Sequence, residues 1–119
     1  HYLGYRSDIP NLLASADLFI LPSTEPDPFP TVILEAMASS KCVAATAHGG
    51  ALEMIEDGRT GILMPFDNAL EATKQIETIL NSETLKHMGA LGRDRIQQLY
   101  SLDAFRGNIL KMMESLHRK

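Results

Sequence analysis

The stretch Pro22-Ser23-Thr24-Glu25-Pro26-Asp27-Pro28-Phe29-Pro30-Thr31-Val32-Ile33-Leu34-Glu35 concentrates the residues able to do chemistry. From Pro28 to Ser40 the only ionisable residue is Glu35, set among Leu34, Ala36, Met37 and Ala38 where a packed helix would carry an apolar side chain. At about 100° per residue Glu35 shares a face with Thr31, roughly 6 Å of rise away at about 1.5 Å per residue. That span is about the reach of a diphosphate and its ribose. Pro30 presets the first turn of the helix without wasting an amide donor, so the amides of Thr31, Val32 and Ile33 can face an anion with help from the helix dipole. The spacing fits a ligand whose phosphates sit on the helix start and whose sugar hydroxyls donate to Glu35. It fits a Glu that simply faces water equally well. No Lys or Arg lies between Arg6 and Lys41, so a phosphate bound here depends on backbone amides and on basic groups folded in from elsewhere.

Other constellations carry less. Glu25-Pro26-Asp27 has the spacing of a metal clamp, but one short acidic pair does not specify a metal, and none is expected. His1, His48, His87 and His117 are scattered without ligand spacing, so no zinc site is read. Cys42, the single cysteine, lies in a Cys-Val-Ala-Ala run that reads as a buried strand and has no base tied to it by spacing. A structural role is expected for it. Met37, Met54, Met88, Met112 and Met113 fall at apolar helical positions and read as core, whereas Lys86, Arg93, Asp94 and Arg95 read as a solvated helix face.

The elements that must position these residues alternate between apolar runs bounded by turn residues and helical periodicity, the pattern of β/α units around a parallel sheet. Strands are expected near Tyr2–Leu3, Leu18–Leu21, Val43–Thr46 and Gly61–Met64, giving a sheet of about four. Asp8 can cap a first helix, with Pro10 in its first turn and Leu12, Leu13 and Ala16 as its buried stripe. A second helix runs from about Thr31 to Ser39. Gly49-Gly50 breaks the chain before a helical turn at Leu52 to Glu56, and Asp57-Gly58 turns into the last strand. Asp67 or Asn68 caps a helix with apolar Ala69, Ala72, Ile76, Ile79 and Leu80, and helices at Ser82–Leu99 and Leu102–Leu116 follow, Ser101 being the N-cap between them. The end from Leu116 to Lys119 reads as fraying. The site stretch thus leaves a strand and opens a helix, the end of an open α/β sheet at which ligands bind.

Composition bounds the function classes. The chain has 119 residues, 45% hydrophobic and 22% charged, enough for one core and too ordered a mixture for a disordered chain or a collagen. A formal charge of −4 leaves no basic footprint for nucleic acid or for an acidic membrane surface. The apolar runs are far shorter than a bilayer span. The first residue is His1, within what reads as a strand already in progress, so a fragment of a longer protein is expected, lacking other parts of its fold.

The segment Asp27-Pro28-Phe29-Pro30-Thr31-Val32-Ile33-Leu34-Glu35-Ala36-Met37-Ala38 resembles the acidic-x7-Glu motif of the retaining glycosyltransferases of the family 4 type, which use the GT-B architecture. Downstream, Thr46-Ala47-His48-Gly49-Gly50-Ala51-Leu52-Glu53 and Asp57-Gly58-Arg59-Thr60-Gly61 resemble that family's Gly-Gly-x-x-Glu loop and its Asn/Asp-Gly-x-x-Gly approach to a strand. Leu3-Gly4-Tyr5-Arg6 and Ala14 to Ser23 resemble it upstream, so the resemblance covers nearly the whole chain.

It implies a Rossmann-like α/β domain, residues 1–119 being the incomplete C-terminal, donor-binding half of a GT-B fold, with an acceptor sugar, lipid or glycan docking on an absent N-terminal domain. The donor would be a nucleoside-diphosphate sugar, with no cofactor. The resemblance makes Asp27 the catalytic acidic residue that touches the transferred sugar, Glu35 the ribose ligand, Pro30 to Ile33 the backbone cradle of the diphosphate and Phe29 a wall of the sugar pocket. Pro30 has no amide hydrogen to give. Glu25 is a rival to Asp27, which stands where the family more often has Glu, and Glu53 reads as structural. Ser40-Lys41-Cys42-Val43 replaces a common Gly-x-Pro-Val turn. The basic pair that neutralises the diphosphate belongs to a part of the fold upstream, so the isolated chain is expected to be inactive. Cytoplasmic localisation, with membrane contact only through the absent domain, is expected. The alternative is a non-catalytic α/β module, either a nucleotide-binding scaffold or a subunit-packing partner.

Overall fold

The computed structural model describes residues 1–118. The order is α1 (Ile9–Ser15), β1 (Leu18–Leu21), α2 (Thr31–Ala38), β2 (Cys42–Thr46), α3 (Ala51–Met54), β3 (Gly61–Met64), α4 (Ala69–Ile79), α5 (Ser82–Leu99) and α6 (Leu102–His117). The three strands form one parallel sheet in the order β1-β2-β3, with Leu18 opposite Cys42 and Val43 opposite Gly61. All five residues of β2 are buried, as a central strand covered on both faces requires. Its side chains alternate. Val43 and Ala45 join Leu13, Ile33, Met37, Met54 and Ile96 on one face, while Cys42 and Ala44 join Ile62, Met64, Ile79 and Met88 on the other. The helix α5 reaches both clusters, through Ile96 and Met88. Burial pushes the Cys42 thiol up to about 11, which keeps it protonated and inert in its structural place.

The caps are side-chain hydrogen bonds to otherwise orphaned amides. Asn68 accepts from Glu71 N (3.0 Å), Asn81 from Glu83 N and Thr84 N (3.0 and 3.2 Å), and Ser101 from Ala104 N (3.2 Å).

Several expectations are corrected. Tyr2–Leu3 is not a strand, so the sheet has three strands and not four among the described residues. No neighbouring strand offers the pair hydrogen bonds, Gly4 turns the chain at φ 65°, and Tyr2 and Tyr5 lie almost wholly exposed. Asp8 occupies the N-cap of α1 but makes no cap bond. Its two oxygens instead take the Arg6 guanidinium at 2.7 and 2.6 Å, which lowers the Asp8 carboxyl below its usual range. The turn expected at Leu52–Glu56 lies one or two residues earlier, as α3. Met112 and Met113 are half exposed on α6, not core. Arg95 is no solvated charge: it donates to Met54 O (2.9 Å) and Glu53 O (2.8 Å) and pairs with Glu56 (2.6 Å), tying α5 to the end of α3. At the chain end the helix continues through His117, and Lys119 lies outside the described residues. No described helix is long and apolar enough to cross a membrane.

Candidate functional site

The loops 22–30 and 47–50 leave the C-terminal ends of β1 and β2, neighbours in the sheet, and are stitched to each other. The Ser23 carbonyl accepts from Thr46 Oγ1 and from the His48 ring through Nε2, both at 2.8 Å. Further along, the Asp27 carbonyl accepts from Gly50 N at 2.8 Å. The two loops touch so closely that a side chain at Gly49 would collide with the Asp27 backbone, and one at Gly50 with the Pro28 carbonyl and the Pro30 ring. Gly49 also sits at φ 59°, so its lack of a Cβ serves both the turn and the contact.

Asp27 closes its own turn. Its Oδ1 accepts from Phe29 N at 2.9 Å, which directs the chain into Pro30 and the start of α2. Pro30 is buried and is the N-cap, with no side-chain cap bond to compete for the first amides. Ile33 N donates to Pro30 O at 3.0 Å and its side chain is fully buried, so the amide expected to be free at this position is already used. The unused donors of the helix start are those of Thr31 and Val32, which find no acceptor among the described residues. Helix geometry makes this end electropositive.

Thr31 and Glu35 are both exposed, one turn apart, on the face of α2 opposite Ile33, Ala36 and Met37. The Glu35 carboxylate makes no hydrogen bond or ion pair among the described residues, and neither does Glu25. Asp27 lines a crevice of about 10 Å³ with Leu21, Ser23, Thr46 and His48, in which Glu25 takes no part. That volume admits no sugar, so the site is one open wall, a row of exposed groups at Asp27, Phe29, Thr31, Val32 and Glu35. Roomier depressions are found beyond it: one of about 610 Å³ beside Arg59, Glu83 and His87, and one of about 600 Å³ between Phe29 and the Leu99 to Phe105 corner. Only the second touches the wall, through Phe29. Glu53 contributes backbone, its carbonyl accepting from Arg95 and, at 3.3 Å, from Tyr100 OH.

The arrangement can hold an anion at two amides and offer carboxylate acceptors on both sides of it. His48 has no metal-ligand spacing to the other histidines, so its type and spacing alone do not single it out. Its position beside a Gly-Gly pair just past a buried strand was the available signal.

Residues 1–95 match the family model described as glycosyl transferases group 1. Over 86 residues the chain is 37% identical to the N,N'-diacetylbacillosaminyl-diphospho-undecaprenol alpha-1,3-N-acetylgalactosaminyltransferase of Campylobacter jejuni, covering 72% of this chain and 23% of that protein. The spore coat protein SA of Bacillus subtilis is 29% identical over 109 residues, 90% of this chain and 29% of its own length. The crystal structure of HepE from Anabaena in complex with UDP and glucose superposes with a TM-score of 0.83 at 32% identity, over 97% of this chain and 32% of HepE. The chain therefore spans about a quarter to a third of these relatives. Its parallel sheet and flanking helices are the Rossmann-like α/β fold of the GT-B glycosyltransferases. By this match, and by a fold shared along almost all of its length, the chain belongs to the glycosyl transferases group 1 family.

Proposed function

We propose that this chain is the donor-binding, C-terminal part of a retaining glycosyltransferase that takes its sugar from a nucleoside diphosphate. The observation that carries the reading is the wall just described: two unused amides at the start of α2, with an exposed, unpartnered Glu35 one turn along and Asp27 on the loop before them. The diphosphate would sit at Thr31 N and Val32 N, where the amides and the dipole favour negative charge most as the anomeric bond breaks and the carbon gains oxocarbenium character. Glu35 would accept from the two ribose hydroxyls. Asp27, rather than Glu25, would meet the transferred sugar, because its loop is fixed at Ser23, Asp27 and Phe29 while Glu25 lies free between those anchors. Phe29, 55% exposed, would form the apolar side of the sugar pocket. HepE, solved with UDP-glucose, supports a nucleotide sugar as the ligand class. The acceptor would dock on a further domain that also supplies the cations this wall lacks, and the enzyme would work in the cytoplasm without a cofactor.

The test uses the full-length protein, with nucleoside-diphosphate affinity and sugar transfer measured separately. Glu35→Ala should weaken nucleotide binding by about 1.5 to 3 kcal/mol, since ribose loses a charged acceptor. Asp27→Asn should depress turnover more than affinity. Unchanged nucleotide affinity in the Glu35 variant would overturn the ribose assignment, and binding without transfer in the unaltered protein would favour a nucleotide-binding scaffold instead.

A further inference from the structure

His48 stands at a junction of three loops. Its Nε2 meets the Ser23 carbonyl of the loop after β1 at 2.8 Å, it precedes Gly49-Gly50 in the loop after β2, and its ring lies edge-on to Phe66 of the loop after β3, with centroids 5.8 Å apart and planes at 74°. A carbonyl oxygen only accepts, so Nε2 carries the proton in this hydrogen bond. The other ring nitrogen, Nδ1, is buried and has no partner among the described residues. The ring is therefore held in an orientation that leaves one of its own polar atoms unsatisfied. What that orientation secures is the bond to Ser23.

The Ser23 carbonyl spends both lone pairs on this junction, one on Thr46 Oγ1 and one on His48 Nε2. Four residues on, Gly50 N holds the Asp27 carbonyl. Residues 24–26 between these anchors make no such bond among the described residues, and all three are exposed. The direction of Asp27 thus depends on two fixed points, and His48 supplies half of the first while its neighbours Gly49 and Gly50 form the second. We infer that His48 is a positioning residue for the Asp27 loop, donating through Nε2 to the Ser23 carbonyl so that Asp27 is presented to the donor sugar. The inference rests on the proposed function, in which Asp27 meets that sugar. It assigns His48 no contact with the nucleotide, whose groups lie on α2.

The experiment compares His48→Ala and His48→Gln with the unaltered full-length protein, the Gln amide being able to donate at a reach similar to Nε2. Three quantities are read: nucleoside-diphosphate affinity, kcat for sugar transfer, and hydrogen exchange at the amides of Phe29 and Gly50, which report the Asp27 turn and its tether. His48→Ala should exchange faster at both amides and lose about 10- to 100-fold in kcat, the scale set by small misplacements of a reacting group, with nucleotide affinity within about threefold. His48→Gln should recover most of the kcat and most of the protection. Unchanged exchange in the Ala variant would overturn the anchoring whatever the activity. Faster exchange with unchanged kcat, or affinity falling in step with kcat, would overturn the positioning role. An unaltered protein that neither binds nucleoside diphosphates nor transfers sugar would overturn the proposed function itself, while the exchange data would still decide whether His48 holds the loop.

Discussion

The helices α2 and α6 both carry apolar residues at three- and four-residue spacings and meet opposite fates in the fold. In α2, eight residues long, Ile33, Ala36 and Met37 are 0% exposed against β2 and its neighbours. In α6, sixteen residues long, no side chain is buried, and Leu102, Phe105, Leu110 and Leu116 are all more than half exposed. A stripe at three- and four-residue spacing reports that a helix has an apolar face, and nothing about what covers it. The helix α2 is covered because it links two adjacent parallel strands and must lie on the sheet they form. No such constraint acts on α6, which follows the last strand by two helices and finds its main packing partner in α5. The packed helix is also the one with chemistry on its outer face. Rigid burial of Ile33 and Met37 fixes where Thr31 and Glu35 point.

The largest test of this contrast is Met37→Ala. Met37 is fully buried among Ile33, Val43 and Ile96, so truncation leaves a cavity and should cost about 2 to 5 kcal/mol in urea unfolding. A loss below about 1 kcal/mol would mean that α2 is held no better than α6, and the argument that its outer face is preset would fail.

Legibility in the sequence followed the range of the interactions involved. The helix Ser82–Leu99 and the caps at Asn68 and Ser101 are set by residues a few positions apart, and the strands Leu18–Leu21 and Gly61–Met64 are marked by short apolar runs between turn residues, so these could be read from the chain. The placement of Glu35 on the outer face of α2 follows from helix geometry alone. His48 and Arg95 could not be read in this way, because each acquires its role by meeting a partner far away in the chain, Ser23 in one case and Glu56 and the α3 carbonyls in the other. Tyr2–Leu3 failed for the same reason in reverse: β-propensity makes a strand only where a neighbour supplies the hydrogen bonds. The use of Ile33 N by Pro30 O was local but subtle, a tightened first turn within a helix whose start was otherwise read correctly.

A smaller effect is expected where α2 ends. Ser40 N donates to Met37 O and Lys41 N to Ala36 O, both at 3.0 Å, the paired bonds of a Schellman motif, and Ser40 stands in its left-handed position at φ 57°. A residue with a Cβ costs about 1 to 2 kcal/mol in that conformation, against about 0.4 to 1 kcal/mol for the greater freedom of an unfolded Gly. Ser40→Gly should therefore raise stability by about 0.5 to 1 kcal/mol. The measurement is again urea unfolding, and a loss of stability would show that the Ser40 side chain makes a contribution that its missing hydrogen bonds do not reveal.

The smallest expected effect belongs to α6. Leu110→Gln and Leu116→Gln replace two exposed side chains, 59% and 65% accessible, by a residue of nearly the same helix propensity, so the change isolates burial from helix formation. If the stripe of α6 stays in water, little apolar area leaves or enters solvent on folding, and each substitution should alter unfolding stability by no more than about 0.5 kcal/mol. The comparison with Met37→Ala then stands as a difference of severalfold between residues of similar hydrophobicity at similar helical spacing. Measured in the full-length protein, a loss above about 2 kcal/mol at either leucine would place that side chain in a packed interface. It would then be α6, like α2, whose periodicity answers to a surface against which it folds.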